Sequence, residues 1–304
     1  MEQSTAEQPT TTATKPRNVY VAFLLSLFFS GLGQVYNGQP KKGAIFFGLL
    51  LILPILFGLT RLLTSFYGLL SILLIEIALG IYIIIDAVKN AKRQKEYILK
   101  TYNTGYYYLL IAVGMTAILF FYDIHTLVGI QNFKIPTIAN CPTLQPGDLF
   151  MADMKAYQNN EPQYGDIVVF KDPDEKFNSF RVVGLPNDNI ELNDNIVTVN
   201  GKQAKATFIK ETMCNNEPVS EFEEELPNGH KHLIYKSNQP KGTKTSIKNI
   251  VVPPESYFLL GDNRDNANDS RYSGSVSRDR IKGKVMYSFW GQSSKRINID
   301  FRDK

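Results

Sequence analysis

Hydrophobic and polar positions divide the chain into two textures. Residues 19–86 and 106–123 are heavily apolar, whereas the remainder is patterned like soluble protein. Gly43 to Thr60, Leu62 to Asp86 and Tyr106 to Tyr122 each approach the ~20 apolar residues that a membrane-crossing helix needs. Pro54 predicts a kink in the first of them. The run VYVAFLLSLFF, inside residues 19–36, is short for a crossing and passes into the glycine-rich SGLGQVYNGQPKKG. It either spans together with that glycine-rich end or turns back inside the membrane. Residues 1–18 are polar and rich in Thr, Gln and Ala, a composition that predicts a disordered tail. They lack the basic-then-apolar order of a secretory signal peptide.

From residue 135 onward the pattern changes to short alternating runs: DLFMADM, GDIVVFKDP, SFRVVGL, IVTVNGK, HLIYKS, ESYFLLGD and IKGKVMYSFW. Turn signals (PGD, LPND, NG, GDN) separate them, which predicts an all-β domain. Residues 202–250 are more polar, break this spacing and read as an insertion or cap outside the core strands. The expected architecture is therefore N-terminal transmembrane helices followed by a mainly-β extracytoplasmic domain. Its divisions are a tail at 1–18, a membrane domain at 19–123 with three or four hydrophobic segments, and a β domain at 124–304.

Charge sets the expected orientation. Lys89, Lys92, Arg93, Lys95 and Lys100 follow the second long span, and such a cluster belongs on the cytoplasmic side. The span from Tyr106 then leads outward and carries the β domain with it. Lys41 and Lys42 fall inside and the Arg61 turn outside. If the first segment crosses, the N-terminus lies outside, against the charges of Lys15 and Arg17; a re-entrant or surface-lying segment removes that conflict. Glu76 sits mid-span, where a carboxyl is costly. It reads as a protonated or hydrogen-bonded contact between helices rather than an ion site.

Composition excludes several function classes. A net charge of +4 is too small to argue for nucleic acid, and no basic face with interleaved aromatics appears. The two cysteines, Cys141 and Cys214, are expected to be free thiols, although one disulfide is possible in an oxidising compartment. His230-Lys231-His232 and two lone cysteines do not make a metal site. No cofactor is implied.

Four blocks carry the chemistry: CPTLQPGD (141–148), YGDIVVFKDP (164–173), FRVVGLPND (180–188) and GDNRDNANDSRYSG (261–274). Together they resemble type I signal peptidases, membrane-anchored serine proteases that remove signal peptides from exported proteins. The resemblance covers residues 124–304 and implies the fold of that family's β domain. It implies that Asp269 and Arg271 form an ion pair behind the active site. Asp262 and Arg264 are expected to fix the loop through hydrogen bonds and charge.

In that family a serine attacks the scissile carbonyl, and a buried lysine, its pKa lowered by desolvation, takes the serine proton. The family's first block runs Ile-Pro-Ser-Gly-Ser-Met-x-Pro-Thr-Leu. Here Ile135-Pro136 are followed by Thr137, Ile138, Ala139, Asn140, Cys141 and Pro142. The nucleophile position is Ala139. Thr137 falls on the position whose hydroxyl stabilises the oxyanion. Phe180 precedes Arg181 where the family has lysine, and Ala267 stands for the serine that holds that lysine.

Nucleophile, base and supporting hydroxyl are thus all replaced, and the expectation is a noncatalytic member. It would lie in the bacterial cytoplasmic membrane as a multi-pass protein, its β domain outside. Its partners would be exported precursor proteins or an active signal peptidase. One alternative is an active endopeptidase in which Cys141, two residues past Ala139, shares its face as the nucleophile. Another is a structural or interaction protein whose membrane hairpin carries the function.

Overall fold

The computed structural model describes residues 14–237 and 244–302. The chain divides into two compact units, Met1–Arg61 with Tyr67–Val128, and Leu62–Phe66 with Gly129–Lys304. N-terminal apolar helices make up the first and a mainly-β domain the second, as the hydrophobic pattern predicts.

In the first unit, α1 (Val19–Phe28) and α2 (Leu32–Tyr36) precede α3 (Pro40–Leu59), α4 (Phe66–Arg93), α5 (Gly105–Phe121) and α6 (Ile124–Val128). By length and composition, α3 and α4 are long and apolar enough to cross a membrane; α5 is a shorter apolar helix of 17 residues. The α1–α2 pair is a hairpin whose two ends meet. Asn18 caps α1 with its side chain, and its N–H donates to the Tyr36 hydroxyl at the end of α2, 2.9 Å away. The turn between them depends on Gly31, with φ +99°, where a Cβ would stand 2.2 Å from the Gly43 carbonyl oxygen. Only glycine combines that backbone with so close an approach to α3.

Amide side chains fasten this hairpin to α4. Gln34 donates to the Ile83 carbonyl at 2.8 Å and Asn37 to the Ala87 carbonyl at 2.7 Å, while Lys42 of α3 pairs with Asp86 of α4 at 2.6 Å. These bonds satisfy polar groups that hydrocarbon would otherwise leave unpaired.

The tail expected over residues 1–18 falls partly outside the described residues, at 1–13. Thr14 to Asn18 are tied down. Lys15 and Arg17 N–H groups donate to the Tyr97 and Gln94 carbonyls at 2.9 and 3.1 Å. The Arg17 guanidinium lies between the rings of Tyr36 and Tyr97, 4.5 and 3.9 Å from their centroids. Cation–π attraction offsets the loss of water around that cation.

In the second unit, β1 (Ile130–Lys134), β2 (Leu149–Asp153), β3 (Ile167–Lys171) and β4 (Phe177–Gly184) lead into β5 (Asn189–Asn193), β6 (Ile196–Val199) and β7 (Lys202–Gln203). Next come β8 (Lys205–Cys214), β9 (Glu217–Glu225), β10 (Lys231–Ser237) and β11 (Ile247–Val251). The chain then continues through β12 (Ser256–Leu260), α7 (Ser270–Ser273), β13 (Val276–Ser277) and β14 (Ile281–Trp290). The main sheet has seven strands in the order β1-β2-β14-β3-β4-β12-β13. Adjacent β3 and β4 bury Val168, Phe170, Phe180 and Val182 in one cluster with Tyr257, Leu259 and Ile281. Each fully buried aliphatic or aromatic side chain there contributes ~1.5–3 kcal/mol.

Residues 202–250 contain more strand than their polar composition suggests. Strands β8, β9 and β10 form a separate three-stranded sheet, and β11 extends the sheet of β5, β6 and β7. The alternation is muted in β8 because almost all of it is exposed.

Candidate functional site

The loop from Ile135 to Asp148 runs between β1 and β2, and β4 supplies Phe180 beside it. Gly261, directly after β12, is the point where the sequence-marked positions converge. A Cβ on Gly261 would lie 2.3 Å from the Ala267 Cβ, 2.6 Å from the Ala139 carbonyl oxygen and 3.2 Å from Phe180 Cε1. Ala139, Phe180 and Ala267, far apart in sequence, therefore surround one backbone atom. Phe180 and Ala267 are buried in the apolar cluster and Ala139 packs against it. The Phe170 ring stands 5.8 Å from that of Phe180.

Two clefts open at this point. One, of about 90 Å³, lies between β1 and β4, with Thr137, Ala139, Asn140, Ser179 and Phe180 in its wall. The other, of about 540 Å³, shares Thr137, Ala139 and Phe180 and extends to Asn266, Ser270 and Ser273. Thr137 is exposed at the rim common to both, where its hydroxyl can donate to a bound carbonyl. Asn140 is turned toward β4, and its amide donates to the Ser179 carbonyl at 2.7 Å and to the Ser179 hydroxyl at 3.2 Å. Among the described residues, no lysine, histidine or carboxylate hydrogen-bonds the hydroxyl of Thr137 or Ser179. Activating a hydroxyl nucleophile requires such a base.

Cys141 does not share the face of Ala139. Residues 139–143 form turns rather than strand, so the two-residue alternation that would align the two side chains does not apply. Cys141 is buried in a different cluster with Cys214, Val219 and Tyr235, with Ile138 packed against it. Burial, and then the neighbouring Cys214, push its thiol well above the usual range. A thiol kept protonated is a poor nucleophile.

The acidic and basic residues of the last block hold this geometry from behind. Asp262 accepts from Arg181 Nε at 2.8 Å and Nη2 at 2.7 Å, and from the Thr143 hydroxyl. Burial alone would raise the Asp262 carboxyl; the Arg181 guanidinium overrides it and holds the group below its ordinary value. Asp269 receives Arg271 Nε and Nη2, both at 2.8 Å, and accepts from the Gly261 N–H at 3.0 Å. The Asp269–Arg271 pair thus fixes the glycine at the convergence point.

Arg264 reaches a residue that the sequence did not mark. Its Nη1 donates to Glu224 of β9 at 2.9 Å and to the Asn195 carbonyl at 2.7 Å. Glu224 sits in the run FEEEL, where nothing distinguishes it from its exposed-type neighbours until β9 turns it inward. His230 lies 3.3 Å from Arg181 Nη1. Its own burial, then the adjacent guanidinium, pull it down to about 4, so it is neutral at pH 7. His230 and His232 line neither cleft that contains Ala139. No group of three or more His, Cys, Asp or Glu side chains among the described residues is placed to hold a metal ion.

Comparison with known proteins gives a family model, signal peptidase, peptidase S26, that matches residues 107–290. A signal peptidase I of Rickettsia typhi is 34% identical over 139 residues, covering 42% of this chain and 52% of the relative. The chain therefore spans about half the length of that relative. A probable signal peptidase I-2 of Synechocystis is 29% identical over 183 residues, covering 58% of this chain and 70% of the relative. Among solved structures, a signal peptidase I of Enterococcus faecalis matches with 24% identity and a TM-score of 0.26, covering 42% of this chain and 98% of the other.

Proposed function

We propose, from the premise that this chain belongs to the signal peptidase family, peptidase S26, that it is a noncatalytic member which binds exported polypeptides without cleaving them. The observation that carries this reading is the convergence on Gly261 of Ala139, Phe180 and Ala267. None of the three can attack an amide or accept a proton. In a serine protease dissected by knockouts, loss of the nucleophile alone costs roughly 10⁶ in kcat.

The features that bind an extended chain are retained. Strand β1 is an edge strand of the main sheet, the position at which an extended chain can add. The cleft beside it, about 90 Å³, is on the scale of a small side chain. Thr137 remains at its rim to donate to a peptide carbonyl. An active signal peptidase is the other partner this surface could take. The experiment is incubation of the purified full-length protein, in detergent, with a signal-bearing precursor. Crosslinking of precursor without cleavage is expected. Cleavage by the native protein overturns the noncatalytic reading, and absence of any complex overturns the binding reading.

The same reading puts the protein in the bacterial cytoplasmic membrane with its β domain outside. The basic residues from Lys89 to Lys100 favour a cytoplasmic α4–α5 loop. Residues 14–18 bond to Gln94 and Tyr97 of that loop, so the N-terminus lies on the same side. The α1–α2 hairpin is then re-entrant, and α3, α4 and α5 cross. The ten residues of α1 rise about 15 Å, half the bilayer core. In intact cells, an impermeant thiol reagent is expected to label Lys210→Cys and spare Lys15→Cys and Lys95→Cys. Labelling of Lys15→Cys would mean that the first segment crosses.

A further inference from the structure

Both cysteines of the chain, Cys141 and Cys214, lie outside the candidate site, and they lie together. Cys141 comes from the loop that carries Ala139, and Cys214 is the last residue of β8, at the turn into β9. Both thiols are free and buried, 4% and 6% exposed, in one small cluster with Val219 and Tyr235. The Cys141 side chain lies beside Cys214 in that cluster. Asn263 connects this pair to the cleft. Its amide donates to Cys214 Sγ at 3.6 Å and to the Ile138 carbonyl at 3.1 Å, and its N–H donates to the Ala139 carbonyl at 3.0 Å.

We propose that Cys141 and Cys214 are a redox-active dithiol which closes to an intramolecular disulfide, tying the tip of the β8–β9 hairpin to the loop that carries Ala139. The inference does not depend on the site being noncatalytic. An outward β domain would meet an oxidising compartment, but the chemistry is a property of the pair itself.

The oxidant is a disulfide, either a small molecule such as oxidised glutathione or an oxidised thiol oxidoreductase. Cys214 deprotonates and its thiolate attacks one sulfur of that disulfide. A mixed disulfide forms and one thiolate leaves, taking up a proton. Cys141 then deprotonates and attacks Cys214 Sγ, forming the Cys141–Cys214 bond and expelling the second thiol. The protein loses two protons and two electrons, and the external disulfide takes up both to become two thiols.

Cys214 is the sulfur that meets the oxidant, because it ends β8 between the exposed residues Met213, Asn215 and Asn216. Burial pushes both thiols up, and the neighbouring Cys214 pushes Cys141 further, which favours the Cys214 thiolate over that of Cys141. Burial keeps both thiols above their ordinary range, so closure is slow at neutral pH and accelerates as pH rises. Once closed, the bond spans the same contact that Asn263 bridges. The loop around Ala139 and the hairpin are then held together covalently.

The test uses the full-length protein in detergent, incubated with oxidised glutathione, quenched with N-ethylmaleimide and analysed by non-reducing peptide mass spectrometry. The expected result is a linked Cys141–Cys214 peptide, loss of both alkylatable thiols and no retained glutathione. In Cys141→Ala, which lacks the resolving thiol, glutathione is expected to remain on Cys214. Limited proteolysis of the hairpin should be slower in the oxidised native protein than after dithiothreitol. Two thiols still alkylatable under an oxidant that links the urea-unfolded chain would overturn the proposal. So would glutathione retained by the native protein, or disulfide-linked dimers in place of the internal bond.

Discussion

The combined variant Ala139→Ser, Phe180→Lys and Ala267→Ser is expected to cleave a signal-bearing precursor, which on the proposed reading the native protein binds without cutting. The three changes put a hydroxyl, an amine and a supporting hydroxyl around Gly261, where the native side chains already meet. A lysine at position 180 would sit among Val168, Phe170 and Leu259. Desolvation there lowers an ammonium pKa toward the range of a general base. The gain should approach the ~10⁶ in kcat that separates a serine protease from its nucleophile knockout. Ala139→Ser alone should stay inactive, since Phe180 cannot take the serine proton. Phe180→Lys alone should lower the Tm, because it buries an amine with no hydroxyl partner. A folded, precursor-binding triple variant with no activity would show that the loop around Ala139 has lost the catalytic geometry as well as the catalytic groups.

The second large effect is on stability. Glu224→Gln should destabilise the β domain by about 3–5 kcal/mol, because it leaves the Arg264 guanidinium buried without its counter-charge. Both side chains of this pair are fully buried. Replacing both, Glu224→Leu with Arg264→Met, should cost much less than the sum of the single changes, since no uncompensated charge remains. Thermal unfolding followed through the fluorescence of the single tryptophan, Trp290, measures all three.

The same pair sets an acid limit. Burial pushes the Glu224 carboxyl up, but the Arg264 guanidinium and His232 override it and hold it at about 2, below its ordinary 4.5. A depressed carboxylate contributes its full stability above the unfolded value. That contribution is lost as pH falls from about 4.5 toward 2. The Tm of the native protein should therefore drop more steeply across that interval than the Tm of Glu224→Gln. Parallel pH profiles would mean that Glu224 is not the titrating group.

Some of this was legible from residue types alone. An apolar run long enough to cross a bilayer has few other outcomes in water, so α3 and α4 follow from composition. Short apolar or alternating runs between turn signals gave β2, β3, β4, β6, β10, β12 and β14. That Ala139 offers no nucleophile and Phe180 no base is a fact of covalent chemistry that no fold can reverse.

Other features depend on contacts between segments distant in the chain, which periodicity does not encode. The alternation that would have aligned Cys141 with Ala139 fails because this stretch is a sequence of turns, and Cys141 faces Cys214 instead. The α1–α2 hairpin required Asn18 to find Tyr36 and Gly31 to approach Gly43. Glu224 looked like any other charge in an acidic run until β9 buried it against Arg264. By itself the sequence determined which side chains stand at positions 139, 180 and 267 and which segments prefer lipid, because both depend on the residues' own composition. The tertiary structure alone decided which side chains meet at Gly261, which way the cysteines face and where the buried charges find partners, because those depend on distances set by the whole fold.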